Sequence, residues 1–249
     1  MITIHNLSKS YKGVEVLRVD DLIIPQGESF GVVGNNGAGK TTLFSLLLDL
    51  IQASSGEVRS KEKPVARSEH WKSYTGAYLD ENFLIGFLTP MEYFEFVAKL
   101  YGVAKGELEA RLQAFETFFN NEILGRKKYI RDLSKGNQKK VGVAAALIGR
   151  PELLILDEPF ANLDPSSQIQ LKQLIKDLPD DLTVLISSHD LTHVTEVCER
   201  IVVLERGAIV KDIRTEATTL SELENYFSRI SESSAASTET PSADLSSRE

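Results

Sequence analysis

Cysteine is almost missing: the 249 residues contain one, Cys198. A single thiol excludes an intrachain disulfide framework and fits a reducing compartment. Long apolar runs are missing as well. Nowhere do about 18 apolar residues follow one another, so no segment is expected to span a membrane by itself. The opening "MITIHNLSKSYKG" has no continuous apolar stretch, so no signal peptide is expected. Positive charge is in deficit, with 28 Lys and Arg against 36 Asp and Glu, a net charge of −8. That argues against a broad polyanion-binding face, and no nucleic acid is expected as a partner. What is present is ordinary for a globular chain: 42% hydrophobic and 26% charged residues, enough to bury one sizeable core.

The order of elements follows from local pattern. "ITIHNL" (2–7) alternates apolar and polar residues as a half-buried strand does. "VEVLRVDDLIIPQGE" (14–28) continues as strand, with Pro25, Gln26 and Gly27 supplying a turn. "SFGVVG" (29–34) is a buried strand, and "KTTLFSLLLDLI" (40–51) places Leu43, Leu46, Leu47 and Leu50 at helical spacing. Residues 71–119 hold most of the aromatic residues. Helical periodicity in 90–102 and 105–120, with no strand signal, predicts an inserted helical subdomain over about 85–150. "KKVGVAAALIGR" (139–150) reads as helix, and "ELLILD" (152–157), nearly all apolar, as a parallel strand covered on both faces. A helix (about 166–178), the strand "TVLISS" (183–188), a helix (about 190–199) and a hairpin turning at Arg206-Gly207 follow. Residues 1–227 are thus expected to form the folded part. From Ser228 to the end the chain is rich in Ser, Thr, Ala and Glu and is expected to be a disordered tail.

Three places carry chemistry. In "GNNGAGKTT" the residues Gly34, Asn35, Asn36, Gly37, Ala38, Gly39, Lys40, Thr41 and Thr42 satisfy the phosphate-loop pattern. The glycines let successive N–H groups point at phosphate oxygens beside the positive end of the following helix. Lys40 is expected between the β- and γ-phosphates of ATP, and the Thr41 hydroxyl on Mg²⁺. "LLILDEP" (153–159) sets Asp157 to hold Mg²⁺ and Glu158 to orient or deprotonate the attacking water. Taken alone, Asp-Glu-Pro after a strand is also an ordinary helix-capping turn; beside a phosphate loop it is the second half of a nucleotidase. His189, ending "TVLISSH", is structural if alone, but beside the other two strand ends it reaches the γ-phosphate. Cys198, His193 and His70 show no ligand spacing. The stretch "LSKGNQKK" (133–140) looks like a second phosphate patch.

As a set, the phosphate loop, "LSKGN", "LLILDEP", the "ANLD" turn (161–164) and "SSH" (187–189) resemble the ATP-binding subunit of ABC transporters, over roughly residues 1–215. The resemblance implies an α/β fold: a P-loop NTPase core with a mostly parallel sheet, an antiparallel β-subdomain and an inserted helical subdomain. It implies that Tyr11 stacks on adenine. It implies a dimer with a second copy or a related cassette, in which Ser134 and Gly136 of one subunit contact ATP held by the other, with Asp164 at the same interface. It further implies an integral membrane permease as partner, reached from the cytoplasmic face of the membrane. The rival is a soluble ATPase of the same type acting on a cytosolic assembly.

Two departures from the family pattern stand out. The usual signature is Leu-Ser-Gly-Gly-Gln, but here Lys135 replaces the first glycine and Asn137 the glutamine. Lys135 either adds charge near a triphosphate or points to solvent. In "GAYLDEN" (76–82) the usual glutamine is replaced by Asp80, with Glu81 next to it. Asp80 can bind a cation but cannot donate as an amide does; otherwise the loop is simply solvated. The aromatic stretch after it is either core or, by resemblance, the groove for a permease helix, with Phe83, Leu84 and Phe87 as anchors. These features favour an exporter.

Overall fold

The structure, a computed structural model, describes residues 1–236, with side chains through Arg229. One compact unit covers Met1–Thr215 and a second begins at Glu216. In chain order the first unit runs β1 (Ile2–Tyr11), β2 (Val14–Ile24), β3 (Ser29–Val33), α1 (Lys40–Leu47), β4 (Ser55–Ser60), β5 (Lys63–Pro64) and β6 (Thr75–Tyr78). Helices α2 (Pro90–Leu100), α3 (Lys105–Gln113), α4 (Glu116–Phe119) and α5 (Lys135–Ile148) follow. Then come β7 (Leu153–Leu156), α6 (Pro165–Lys176), β8 (Thr183–Ser188), α7 (Leu191–Val197), β9 (Arg200–Glu205) and β10 (Ala208–Arg214). The second unit holds α8 (Thr219–Ala236).

All ten strands join one sheet in the order β5-β4-β1-β2-β10-β9-β3-β8-β7-β6. Its two halves read differently in sequence for a physical reason. In β1 and β2 the buried residues (Ile2, Ile4 and Leu7; Leu17, Val19, Leu22 and Ile24) are interleaved with exposed ones, as in an antiparallel sheet with one wet face. β7 and β8 are buried at every position and pair in parallel with each other and with their neighbours. The parallel half aligns the C-terminal ends of β3, β7 and β8, where ligands of open α/β sheets bind.

The middle segment differs from its expected form in two places. β6 (Thr75–Tyr78) lies just before the expected helical subdomain, where no strand is read from the sequence. Its four residues are too few to show a period, and pairing with β7 at the sheet edge makes the strand. Helix α5 packs closely on it: a Cβ on Gly142 would lie 2.1 Å from Tyr78 Cδ2. The expected helix 105–120 is two helices, parted at Ala114 and Phe115. Phe115, Phe118 and Phe119 turn inward there, and Phe119 stacks on Phe94 with ring centroids 5.8 Å apart. These aromatics are core. Phe83 and Phe87 are exposed and Leu84 is half-buried, so the aromatic stretch is partly core and partly surface.

Helix α8 continues past Ser228, where the disordered tail is expected to begin, to Ala236. No proline or glycine interrupts residues 219–236, and Ala, Glu and Leu favour propagation into the serine-rich segment. Residues 237–249 lie outside the described residues.

Candidate nucleotide site

The loop from Gly34 to Gly39 leaves β3 and returns as the start of α1. Gly39 caps that helix at φ 109°, a left-handed conformation that strains any residue with a Cβ. Lys40, the first helical residue, is 6% exposed. Its ammonium folds back across the loop, donating to the Gly34 carbonyl at 2.7 Å and standing 3.2 Å from Glu158 Oε1. A cavity of about 350 Å³ opens above the helix end, walled by Tyr11, Asn36 through Thr42, and Glu158. Tyr11 is 49% exposed, with Lys9 Nζ 4.7 Å from its ring centroid.

Opposite the loop, the two carboxylates are fixed by different means. Asp157 is 4% exposed; Thr41 Oγ1 donates to its Oδ2 at 2.6 Å, and the Ser187 hydroxyl donates to its Oδ1. Burial pushes the Asp157 carboxyl up, and the hydroxyl donors and Lys40 work against that push. Glu158 adopts φ 47°, unusual for a residue with a side chain. Its N–H donates to Ser187 Oγ at 2.9 Å, and Nδ1 of His189 lies 2.9 Å from its Oε2. Lys40, Thr41, Asp157, Glu158, His189 and Tyr11 are therefore brought together. Ser187, which donates to the Asp157 carboxylate and accepts from the Glu158 main-chain N–H, went unread in the sequence; its only signal was the doubled serine before His189.

The signature residues lie elsewhere. Ser134 is exposed and caps α5, its hydroxyl accepting from Asn137 N–H at 3.3 Å. A Cβ on Gly136 would lie 2.9 Å from the Asn162 carbonyl, so the signature abuts the "ANLD" turn. Asp164 caps α6, accepting from the Ser167 N–H at 3.0 Å and its hydroxyl at 2.5 Å, which hold its carboxyl well below the usual range. Ser134, Gly136 and Asp164 do not line the chain's own cavity.

The two departures meet. Lys135 is largely exposed, as its solvent-pointing alternative has it, and its ammonium forms an ion pair with Glu81, which holds that carboxyl below its ordinary value. Asp80 accepts from the Asn82 N–H at 2.6 Å, capping the turn Glu81–Phe83, and stands outside the cavity wall. Lys139, also unread in the sequence, is buried at 5% exposure and donates to the Glu158 carbonyl at 2.5 Å.

A phosphate loop at a strand-to-helix turn, facing a buried Asp-Glu pair, defines a P-loop nucleotide-binding fold. Residues 17–161 match the ABC transporter family, and the chain belongs to it. It is 38% identical over 200 residues to an ABC transporter ATP-binding protein of Synechocystis, covering 79% of this chain and 56% of that one. It is 32% identical over 221 residues to the bacitracin transport ATP-binding protein BcrA of Enterococcus faecalis, covering 86% of this chain and 69% of that one. Among solved structures, the dimeric structure of MJ0796, a bacterial ABC transporter cassette, superposes with a TM-score of 0.78 at 25% identity. That match covers 87% of this chain and all of that one. The chain spans 56% to 69% of the lengths of the first curated relatives.

Proposed function

We propose that the chain binds ATP with Mg²⁺ and hydrolyses it as the ATPase subunit of an ABC transporter, driving a separate membrane-spanning permease from its cytoplasmic face, in the export direction. The observation that carries the reading is the cavity beside the phosphate loop walled by Lys40, Thr41 and Glu158, with Asp157 hydrogen-bonded to Thr41 and His189 to Glu158 just behind them. Two hard oxygen donors, the Thr41 hydroxyl and the Asp157 carboxylate, meet there. Among the described residues no cluster of three or more acidic, His or Cys side chains forms a full metal cage. That donor set suits Mg²⁺, which keeps several waters and binds through one or two protein oxygens plus phosphate. When bound, the ion supplies charge neutralisation at the phosphate oxygens.

The chain's own groups do the rest. The N–H groups of Asn36 through Thr42 cradle the phosphates, and Lys40 shifts its ammonium from Glu158 to the β- and γ-phosphates. Glu158 Oε1, released from Lys40, accepts the proton of the attacking water as the water oxygen bonds to the γ-phosphorus. The bond to the β-phosphate oxygen breaks, and ADP leaves with that electron pair. His189, held on Oε2 of Glu158, faces the γ-phosphate, and Tyr11 stacks on adenine. Asp80, at the start of the turn Glu81–Phe83, offers a further carboxylate toward the ion from the loop before α2. Ser134 and Gly136 close over the nucleotide of a second subunit, with Asp164 on the same interface.

The permease reading is supported by surface chemistry. Phe83 and Phe87 are exposed beside an apolar groove of about 410 Å³ walled by Leu50, Leu84, Tyr93 and Phe96. Exposed aromatic anchors of this kind mark a protein contact. Among the described residues no helix is long and apolar enough to cross a membrane. BcrA, named for bacitracin transport, adds weight to transport over a cytosolic assembly role. The direct test is phosphate release from ATP by the purified chain, against Glu158→Gln. Equal rates would remove Glu158 as the base.

A further inference from the structure

Glu158 is held by more than its side-chain partners. Its φ of 47° is a conformation that persists only where surrounding contacts over-determine it. Two contacts do so on the main chain. The Glu158 N–H donates to Ser187 Oγ at 2.9 Å, and Lys139 Nζ donates to the Glu158 carbonyl at 2.5 Å. One clamp comes from β8 and the other from α5, so the residue is gripped from both sides of the strand end.

Lys139 is an odd residue to spend on that grip. Its side chain runs beside Tyr78, with Nζ 6.0 Å from the ring centroid, on the face where Gly142 lets α5 close onto β6. Burial pushes its ammonium toward the neutral form, and Glu81, Glu158, Asp157 and Asp80 oppose that push. A buried cation is a poor way to gain stability, because an apolar side chain of similar volume does as well or better. The stem could be methionine if packing were all that mattered. What methionine cannot supply is the hydrogen bond to the Glu158 carbonyl.

We propose that Lys139 is a positioning residue for Glu158: by holding the Glu158 carbonyl it sets the direction of the carboxylate, and it ties that direction to helix α5. The inference rests on the ATPase reading above. It gives α5 two working ends. Ser134, at its exposed N-cap, belongs to the ATP of the other subunit, while Lys139, five residues on, belongs to the base of its own. A shift of α5 on engaging the second nucleotide is thereby passed to Glu158 through one hydrogen bond.

Three full-length proteins test this: wild type, Lys139→Met and Lys139→Gln, each measured for kcat, KM for ATP and melting temperature. Methionine keeps the volume and removes the donor; glutamine keeps a neutral N–H donor, one atom shorter. The expected result for Lys139→Met is a fall in kcat of about tenfold or more, since small misplacements of a reacting group are costly. Its KM stays near wild type and its melting temperature is unchanged or higher, while Lys139→Gln recovers part of kcat. The proposal is overturned if Lys139→Met keeps kcat within about twofold, if glutamine and methionine fall equally, or if the loss of kcat comes with a matching loss of melting temperature. A wild type without turnover would overturn the ATPase reading itself, and this proposal with it.

Discussion

The chain contains two basic, glycine-bearing helix starts, residues 34–42 and 133–140, and they are built to opposite plans. At the first, the lysine that opens the helix is buried and every charge has a partner from the same chain: Lys40 faces Glu158, and Thr41 donates to Asp157. At the second, the outermost residues face away. Ser134 and Lys135 are exposed, Lys135 pairs with Glu81, and only the later lysines go inside, Lys139 to the Glu158 carbonyl and Lys140 to within 3.5 Å of Glu122. The first start closes a site on itself. The second presents a capped helix end to the outside and sends its buried charge to brace the first. Similar local sequence thus yields an inward-facing site in one case and an outward-facing helix end in the other, and the difference lies in which side chains turn inward.

The sharpest way to break this contrast is at the first start. Glu158→Gln is expected to lower ATP turnover by roughly 10²–10⁴-fold, the usual contribution of a general base. ATP binding should persist, as read by nucleotide titration; unchanged turnover would contradict the closed-site assignment. The next largest effect belongs to Ser134→Asp. Aspartate keeps an N-cap acceptor, so the helix should fold as before, but its charge opposes a triphosphate. Monomer ATP binding should remain and ATP-driven dimerisation, followed by sedimentation, should disappear. Loss of monomer binding instead would make the second start a local phosphate site.

Smaller effects probe the surfaces beside the second start. Replacing Phe83 and Phe87 together by serine should leave ATP turnover and melting temperature nearly unchanged, since both side chains are exposed. Recovery with the native membrane fraction should drop. The least effect is expected from Lys135→Ala. Its pair with Glu81 holds that carboxyl low, so the pair's contribution is present above the ordinary carboxylate value, about 4.3, and fades as pH falls through the lowered one. Lys135 is largely exposed, and solvent screening keeps such a contribution under about 1 kcal/mol. Melting temperatures of wild type and variant should therefore differ slightly at pH 7 and converge in acid.

Much of the fold was legible because its signals are local. The alternation of β1 and β2, the unbroken apolar runs of β7 and β8, and the glycines before Lys40 each dictate their own structure. What stayed hidden depends on partners distant in sequence. β6 is a strand because β7 lies beside it, and the kink between α3 and α4 exists because Phe115 and Phe119 need the interior. The site divides in the same way. Asp157, Glu158 and His189 end strands whose registers fix their positions. Ser187 and Lys139 act through contacts 29 and 19 residues away, and no spacing rule announces them. A basic run normally reads as a solvated face; that two of its lysines are buried is a tertiary fact.

The central claim, that residues 133–140 complete a site held by another copy, is tested most directly by mixing two inactive proteins, Lys40→Ala and Ser134→Asp. A mixed dimer then contains one site made from the intact phosphate loop of the Ser134→Asp chain and the intact signature of the Lys40→Ala chain. If the signature acts in trans, ATP turnover reappears on mixing although neither protein hydrolyses ATP alone. If each chain's signature served its own phosphate loop, every site in the mixture would carry a defect, and turnover would stay absent at all mixing ratios.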